Sequence, residues 1–313
     1  MASDVLVVDW RPRAFEPLAA RFPEVRLHAV ETIEQAEPYL AAAEVLVTVG
    51  HGFTAEVAGR MPSLRWVQSM ITGTDVFRAA LAGRPEVLLT SARGIHGPQM
   101  AEAALFHMLC LARDVRRTVH AQDEHRYEPW DPHVLDGRTV GIVGIGVVGE
   151  HVARACKALG MTVVGITRTP RPVDGVDRMV AREELAAAAA DVDFLVLTVP
   201  LDEGTRHIVD ARVLGAMKPT AYLVNLARGG NVDTVALLDA LRSGSIAGAG
   251  LDAFDEEPLP PDDPLWELDN VFVTPHMGGR SERYVDGLLR VLEPNLRCWL
   301  DGDLASMTNV VER

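Results

Sequence analysis

Along the chain, short unbroken apolar runs alternate with segments whose apolar residues recur at helical spacing. In the first part the runs are DVLVVDW (4–10), VRLHAV (25–30), EVLVTVG (44–50), LRWVQS (64–69) and VLLTSA (87–92). A second series restarts with TVGIVG (139–144), TVVGIT (162–167), DFLVLTVP (193–200), AYLVNLA (221–227), IAGAGLD (246–252) and VFVTP (271–275). Near-continuous apolar strands are what a parallel sheet needs when helices cover both of its faces. Their alternation with helical patterns predicts an α/β fold. Between the two series, GPQMAEAALFHMLCLARDVRRTVHAQ predicts one long helix from about Pro98, with Ala104, Leu105, Met108, Leu109 and Leu111 on a buried face. LAAAAAD (185–191) consists of strong helix formers. SERYVDGLLRVLEPNLRCWL predicts a last helix, kinked at Pro294 because proline lacks the N–H the helix needs. EHRYEPWDPHVLDG (124–137), rich in Pro and Asp, reads as a linker.

Composition narrows this picture. A chain of 313 residues suits about two domains, and 48% hydrophobic with 24% charged residues is the balance of a globular protein. No apolar run approaches the roughly 18 residues of a membrane span. MASDVLVVDW has neither the basic nor the apolar region of a signal peptide and reads as a first strand. Cys110, Cys156 and Cys298 lie too far apart for a disulfide framework or a metal-ligand spacing, so the expectation is a cytoplasmic protein with no bound metal. The net charge of −14, from 30 Lys+Arg against 44 Asp+Glu, argues against nucleic acid and anionic membranes as partners. An anionic ligand must therefore meet a local positive site.

One such site is written in GIVGIGVVGEHVARACKALGMTVVGITRTP. Gly144-Ile-Gly146-Val-Val-Gly149 follows a strand and opens an amphipathic helix, the setting in which a glycine triplet binds a dinucleotide. Gly144 makes the tight turn, Gly146 admits a diphosphate close to the backbone, and Gly149 lets helix and strand pack. The N–H groups of Val147 and Val148 at the helix start face the diphosphate, aided by the helix dipole. The acid that usually holds the ribose 2′-hydroxyl is missing at the end of the next strand, where Thr167-Arg168-Thr169 stands instead. A carboxylate there would repel a 2′-phosphate, whereas Arg168 between two hydroxyls can bind one, and Arg171 can add to it. The expected cofactor is NADP(H), with NAD(H) possible.

Ligands of open parallel sheets bind outside the carboxyl ends of the strands. In the second series those ends carry Pro200, Arg228, Asp252 and His276, with Ala227 before Arg228 and Gly278-Gly279 after His276. One fixed cation, one titrating imidazole and the carboxylates of DAFDEEP suffice for acid–base chemistry on a small anion. Pro200, Ala227, Gly278 and Gly279 join the cofactor-binding candidates.

NLARGGNVDTVALLDALRSGSIAGAGLDAFDEEPLP, followed by DPLWELDNVFVTPHMGG, resembles the D-isomer-specific 2-hydroxyacid dehydrogenases. With GIVGIGVVG and LRWVQSMITGTDVF the resemblance spans essentially the whole chain. It implies two Rossmann-like or flavodoxin-like domains with an active-site cleft between them that closes on binding. The substrate-binding domain would comprise 1–98 plus 281–313, the dinucleotide-binding domain 99–280, in a homodimer. It implies a catalytic triad of Arg228, Glu257 and His276: His276 protonates the carbonyl oxygen, Glu257 orients its ring, and Arg228 holds the substrate carboxylate. Asp252 would bond the nicotinamide amide, and Thr205 would contact the cofactor. The backbone of Ile71, Thr72 and Gly73 would receive the substrate carboxylate, with Met70 as a pocket wall and Trp130 as a specificity residue from the dimer partner.

The missing acid after the second strand resembles NADPH-dependent glyoxylate/hydroxypyruvate reductases, so the expected reaction is reduction of a short 2-keto acid. Two other readings stand beside it. One is a nucleotide-dependent, corepressor-like binding protein on the same fold; the other is a dehydrogenase of a small acid such as phosphite. Formate oxidation is disfavoured, because formate enzymes of this fold depart from the Glu–His pair.

Overall fold

The computed structural model describes residues 2–312. It divides into two compact units, one running to Ile95 and resuming at Ser281, the other His96–Arg280.

The first unit holds five strands, β1 (Ser3–Val8), β2 (Val25–Val30), β3 (Val45–Thr48), β4 (Trp66–Ser69) and β5 (Leu88–Thr90). They form one parallel sheet in the order β2-β1-β3-β4-β5. The two-residue period of a strand sends alternate side chains to opposite faces. Val5, Val7, Val45, Val47 and Trp66 pack on one side with Tyr284, Leu288, Leu292 and Leu296 of the last helix. Leu6, Leu46, Val67 and Leu89 pack on the other with Leu40, Phe53, Met61 and Phe77. The last helix, Tyr284–Asp301, continues through Pro294 without interruption and ends at Gly302, in the left-handed conformation that terminates helices.

The second unit holds β6 (Thr139–Val143), β7 (Thr162–Thr167), β8 (Arg178–Ala181), β9 (Phe194–Leu197), β10 (Tyr222–Asn225), β11 (Gly248–Leu251) and β12 (Val271–Val273). All pairings are parallel, in the order β12-β11-β10-β9-β6-β7-β8. From β6 the chain builds outward through β7 and β8, then returns to β6's other side with β9. That reversal opens a crevice at the carboxyl ends of β6 and β9, where doubly wound sheets take their ligands. The α/β reading with two parallel sheets is therefore what the structure shows.

Two expectations need correction. The strand β8 has no counterpart in the apolar runs, because RMVA sits at the sheet edge with only Val180 buried. The long helical run is two helices, Gly97–Ala112 and Val115–Asp123. Asp114 breaks it with a left-handed φ of 49°, and its carboxylate caps the second helix by accepting from Arg117 N–H at 3.2 Å. The first of these helices buries Ala104 and Met108, but Leu109 and Phe106 are exposed.

Candidate active site

At the β6–β9 crevice the three glycines are needed for three different reasons. Gly144 has φ +104°, and a Cβ there would stand 3.0 Å from the backbone of Thr198 and Val199. A Cβ on Gly149 would lie 2.1 Å from the Gly144 carbonyl oxygen, so only glycine lets the helix Val147–Ala158 start this close to β6. Gly146 differs: nothing lies within 4 Å of its added Cβ. The space above Gly146 is open, and a side chain would fill it. Thr198 ties the end of β9 to the loop by donating to Gly144 O at 2.7 Å. The first N–H groups of the helix, those of Val147, Val148 and Gly149, precede its first i→i−4 bond, made by Glu150 N–H to Gly146 O. An open glycine below unpaired N–H groups at a positive helix end fits a diphosphate.

Thr167 ends β7 half-buried, and Arg168 and Thr169 are exposed beyond it. Arg171 forms an ion pair with Glu150 at 2.5 Å, in the first turn of the same helix. The Arg168–Thr169 segment thus lies at the carboxyl end of β7, the strand next to β6, and holds no acid.

A second constellation forms at the ends of β10, β11 and β12. Arg228 follows β10 with extended backbone at φ −141°. Its N–H donates to Asn231 Oδ1 at 3.0 Å, and its carbonyl accepts from Asn225 Nδ2 at 2.9 Å. Arg228 is half-buried, and its Nη1 donates to Ala227 O at 2.7 Å. Beside it Gly229 is indispensable, because a Cβ there would stand 1.9 Å from the Phe254 carbonyl carbon. That close approach lays the segment after β11 against the Arg228 turn.

The same segment carries Glu257, whose Oε1 accepts from Phe254 N–H at 2.9 Å and whose Oε2 lies 2.7 Å from His276 Nδ1. Partial burial opposes ionisation of Glu257. The hydrogen bonds from His276 and Phe254 N–H, with the charges of His276 and Arg228, outweigh it and hold the carboxyl below the usual carboxylate range. His276 follows β12 with a left-handed φ of 48°, a conformation that costs energy in a residue other than glycine. The structure therefore brings Arg228, Glu257 and His276 to one set of strand ends.

Other candidates face inward. Asp252, at the end of β11, is 2% exposed. Its Oδ1 accepts from Thr274 Oγ1 at 2.5 Å and Met277 N–H at 2.9 Å, and its Oδ2 from Gly278 N–H at 2.9 Å. The carboxylate thus holds the turn that follows His276. Gly278 fits because a Cβ would come within 2.9 Å of Asp252 Oδ2; Gly279 lies against His96. Thr205 is buried, its hydroxyl donating to Pro200 O at 2.7 Å and accepting from Asp202 N–H at 2.7 Å, so its side chain shapes the loop after β9. Pro200 itself is exposed, and Ala227 is buried under the Arg228 turn.

Sequence reasoning passed over Asn225 and Asn231, which cradle the Arg228 backbone, Thr274, which donates to Asp252, and His107, which bonds Thr274. The available signal was polarity in apolar surroundings: an asparagine inside YLVNLA and a histidine inside ALFHMLCLA.

In the first unit, Ile71 and Gly73 are half-buried and Thr72 is exposed, just past the carboxyl end of β4. Ile71 N–H donates to Ser69 Oγ at 3.2 Å. Met70 is a correction: it is fully buried in the core of this unit, and its carbonyl accepts from Tyr284 OH at 2.6 Å, so it is no pocket wall. Trp130, in the second unit, packs its ring under the Arg117 guanidinium at 4.7 Å. Among the described residues, no group of His, Cys, Asp or Glu has the arrangement of a metal site and no helix is long and apolar enough to cross a membrane.

Comparison with known proteins adds four findings. The family model for the D-isomer specific 2-hydroxyacid dehydrogenase NAD binding domain matches residues 105–278. A glyoxylate reductase of Thermococcus onnurineus is 35% identical over 273 residues, 83% of this chain and 81% of that protein. Among solved structures, a D-isomer specific 2-hydroxyacid dehydrogenase family protein from Aeromonas salmonicida subsp. salmonicida superimposes with a TM-score of 0.91 at 30% identity, over 100% of this chain and 99% of that one. The NADPH-dependent glyoxylate/hydroxypyruvate reductase from Sinorhizobium meliloti in complex with NADP and sulfate gives 0.84 at 28% identity, over 99% and 98%.

Proposed function

The chain belongs to the D-isomer specific 2-hydroxyacid dehydrogenase family, whose members are NAD(P)-dependent oxidoreductases, and from that premise we propose that it reduces a short 2-keto acid of the glyoxylate or hydroxypyruvate kind, with NADPH as preferred donor. The observation that carries the reading is the His276–Glu257 pair at 2.7 Å, with Arg228 on the adjoining strand end.

A nicotinamide cofactor held at the Gly144–Gly149 loop would supply the hydride chemistry. The residues of the chain supply everything else. Because His276 Nδ1 faces Glu257, its Nε2 is the nitrogen left to protonate the carbonyl oxygen. Glu257, its carboxyl held below the usual carboxylate range, faces His276 Nδ1 and fixes the ring plane. Arg228 holds the substrate carboxylate with its planar fork and draws charge toward the carbonyl oxygen. Asn225 and Asn231 hold its backbone from both sides, so the guanidinium is presented from a fixed base. In the other unit, the backbone of Ile71, Thr72 and Gly73 is assigned an anion-binding role, resting on its place past the end of β4.

Gly146 and the N–H groups of Val147 and Val148 would hold the diphosphate. Thr167, Arg168 and Thr169 would hold the 2′-phosphate, and the absence of an acid there supports NADP(H) over NAD(H). Arg171 can contribute only by leaving Glu150. The exposed Phe106, Leu109 and Val119 support a homodimer.

The test is steady-state reduction of glyoxylate and hydroxypyruvate with NADPH and NADH in parallel, for the wild type and Arg168→Ala. NADPH preference that collapses in the variant supports both the reductase and the 2′-phosphate reading. Equal use of both cofactors, unaffected by the substitution, overturns the second. Inactivity on either keto acid with both cofactors overturns the first.

A further inference from the structure

We propose that His107 is a positioning residue for His276, acting through Thr274 and Asp252; the proposal rests on the catalytic reading of His276 given above. His107 sits on the helix Gly97–Ala112, 1% exposed, with its ring edge-on to Phe106 and Phe272 at 5.9 and 5.6 Å. Room for it exists only because β11 has Gly250, where a Cβ would come within 2.7 Å of His107 Nδ1. Its Nε2 lies 2.9 Å from Thr274 Oγ1. From Thr274 the chain of bonds runs to Asp252 at 2.5 Å and on to Met277 N–H and Gly278 N–H, each at 2.9 Å.

The direction of every proton in this chain is determined. A hydroxyl has one hydrogen, and the carboxylate of Asp252 only accepts, so Thr274 donates to Asp252. The Thr274 oxygen must then accept from His107, which fixes the imidazole as its Nε2–H tautomer. Burial keeps that ring neutral, pushing its pKa down to about 4 against the opposing pull of Asp252. Its Nδ1 has no partner. A phenyl ring would fill the same space without that orphan nitrogen, so the one gain of a histidine here is the bond to Thr274.

The other end of the chain explains what the bond is for. Met277 and Gly278 directly follow His276, whose left-handed backbone needs a turn held from outside to persist. Thr274 grips that turn twice, since its carbonyl also accepts from His276 N–H at 3.0 Å. Asp252 is therefore oriented from the buried side by Thr274 and His107, and presents two oxygens to the turn that aims His276 at Glu257. None of these three groups need touch the reacting atoms.

The experiment compares Thr274→Val, His107→Phe and His107→Gln with wild type by backbone amide NMR, kcat and the solvent isotope effect on kcat. In Thr274→Val and His107→Phe the Met277 and Gly278 amide resonances should move. Displacing a proton donor by a fraction of an ångström should also lower kcat about tenfold and enlarge the isotope effect, as protonation becomes more limiting. His107→Gln keeps an N–H donor near the Nε2 position and should restore both. Because the two defects lie on one chain, the double variant should be no worse than the poorer single variant. A folded His107→Phe with unmoved amides and an unchanged isotope effect overturns the proposal, whatever its kcat. If His107→Phe fails to fold, Thr274→Val decides by the same criteria. Wild-type inactivity on keto acids would sink the functional reading alone, because the amide shifts report on the relay without turnover.

Discussion

Glu257 Oε2 and His276 Nδ1 stand 2.7 Å apart although 19 residues separate them in the chain. They meet because β11 and β12 are neighbours in the sheet, and each strand's carboxyl end delivers one of the pair. Proton donation by such a positioned imidazole is worth about 10²–10⁴ in rate. His276→Ala should lower kcat for keto-acid reduction by that order with much smaller change in cofactor affinity, measured by NADPH fluorescence titration. Glu257→Gln should be the milder lesion, since the amide oxygen can still accept from the ring.

Glu257 also links this pair to stability. Its carboxyl is held below its ordinary range in the folded protein, so its contribution is present at neutral pH and is lost only as pH falls through the lowered value. Thermal melts of wild type and Glu257→Gln should differ at pH 7 and converge in acid. Melts that stay equally far apart at low pH contradict this assignment.

The glycines separate folding from binding. At Gly229 a Cβ would collide with the Phe254 backbone, an overpacking that costs about 1–3 kcal/mol. Gly229→Ala should lower Tm by several degrees and drop kcat, because the Glu257 segment must move away from Arg228. At Gly146 a Cβ meets nothing. Gly146→Ala should therefore melt like wild type yet bind NADPH at least roughly tenfold more weakly, since the methyl group occupies the space above the helix start. Calorimetry and fluorescence titration on the same preparations check both halves.

Arg228→Lys tests whether charge alone suffices. Lysine keeps the cation but lacks the planar fork and the geometry that lets Nη1 bond Ala227 O. The expected outcome is a rise in KM for the keto acid together with a fall in kcat, while Tm changes little. A variant with wild-type kcat/KM would remove the bidentate carboxylate contact from the mechanism.

Two buried histidines give the protein an acid-sensitive range. Burial lowers His96 and His107 to about 4 from the ordinary 6.5. Between those values the unfolded chain holds more protons at these sites than the folded one. Stability should climb with pH across that window and be complete above it. His107→Gln should flatten part of the slope in Tm measured from pH 4 to 7.

How much of this was legible beforehand follows from which interactions are local. Apolar runs identified eleven of the strands, because strands buried on both faces must be apolar along their length. They missed β8, whose edge position requires only one buried side chain in four. The helical run after Pro98 concealed a break, since Asp114 ends one helix by backbone conformation and starts the next by capping, neither of which alters periodicity. The glycine triplet stood out because its setting between strand and helix demands glycine, and Arg228 and His276 stood out as polar residues at apolar strand ends; Glu257 was nominated only through the family resemblance.

What the sequence determined by itself, then, was the fold class and the family, together with a set of candidate residues for the proposed chemistry. The tertiary structure decided which way the polar groups point. Only packing shows that Asp252 and Thr205 turn inward, that Met70 belongs to a core, that Arg171 is engaged by Glu150, and that a histidine from a distant helix reaches the turn behind His276. The physical reason is that a hydrogen bond is fixed by distances of a few ångströms between residues far apart in the chain. No periodicity or spacing along the sequence encodes that distance.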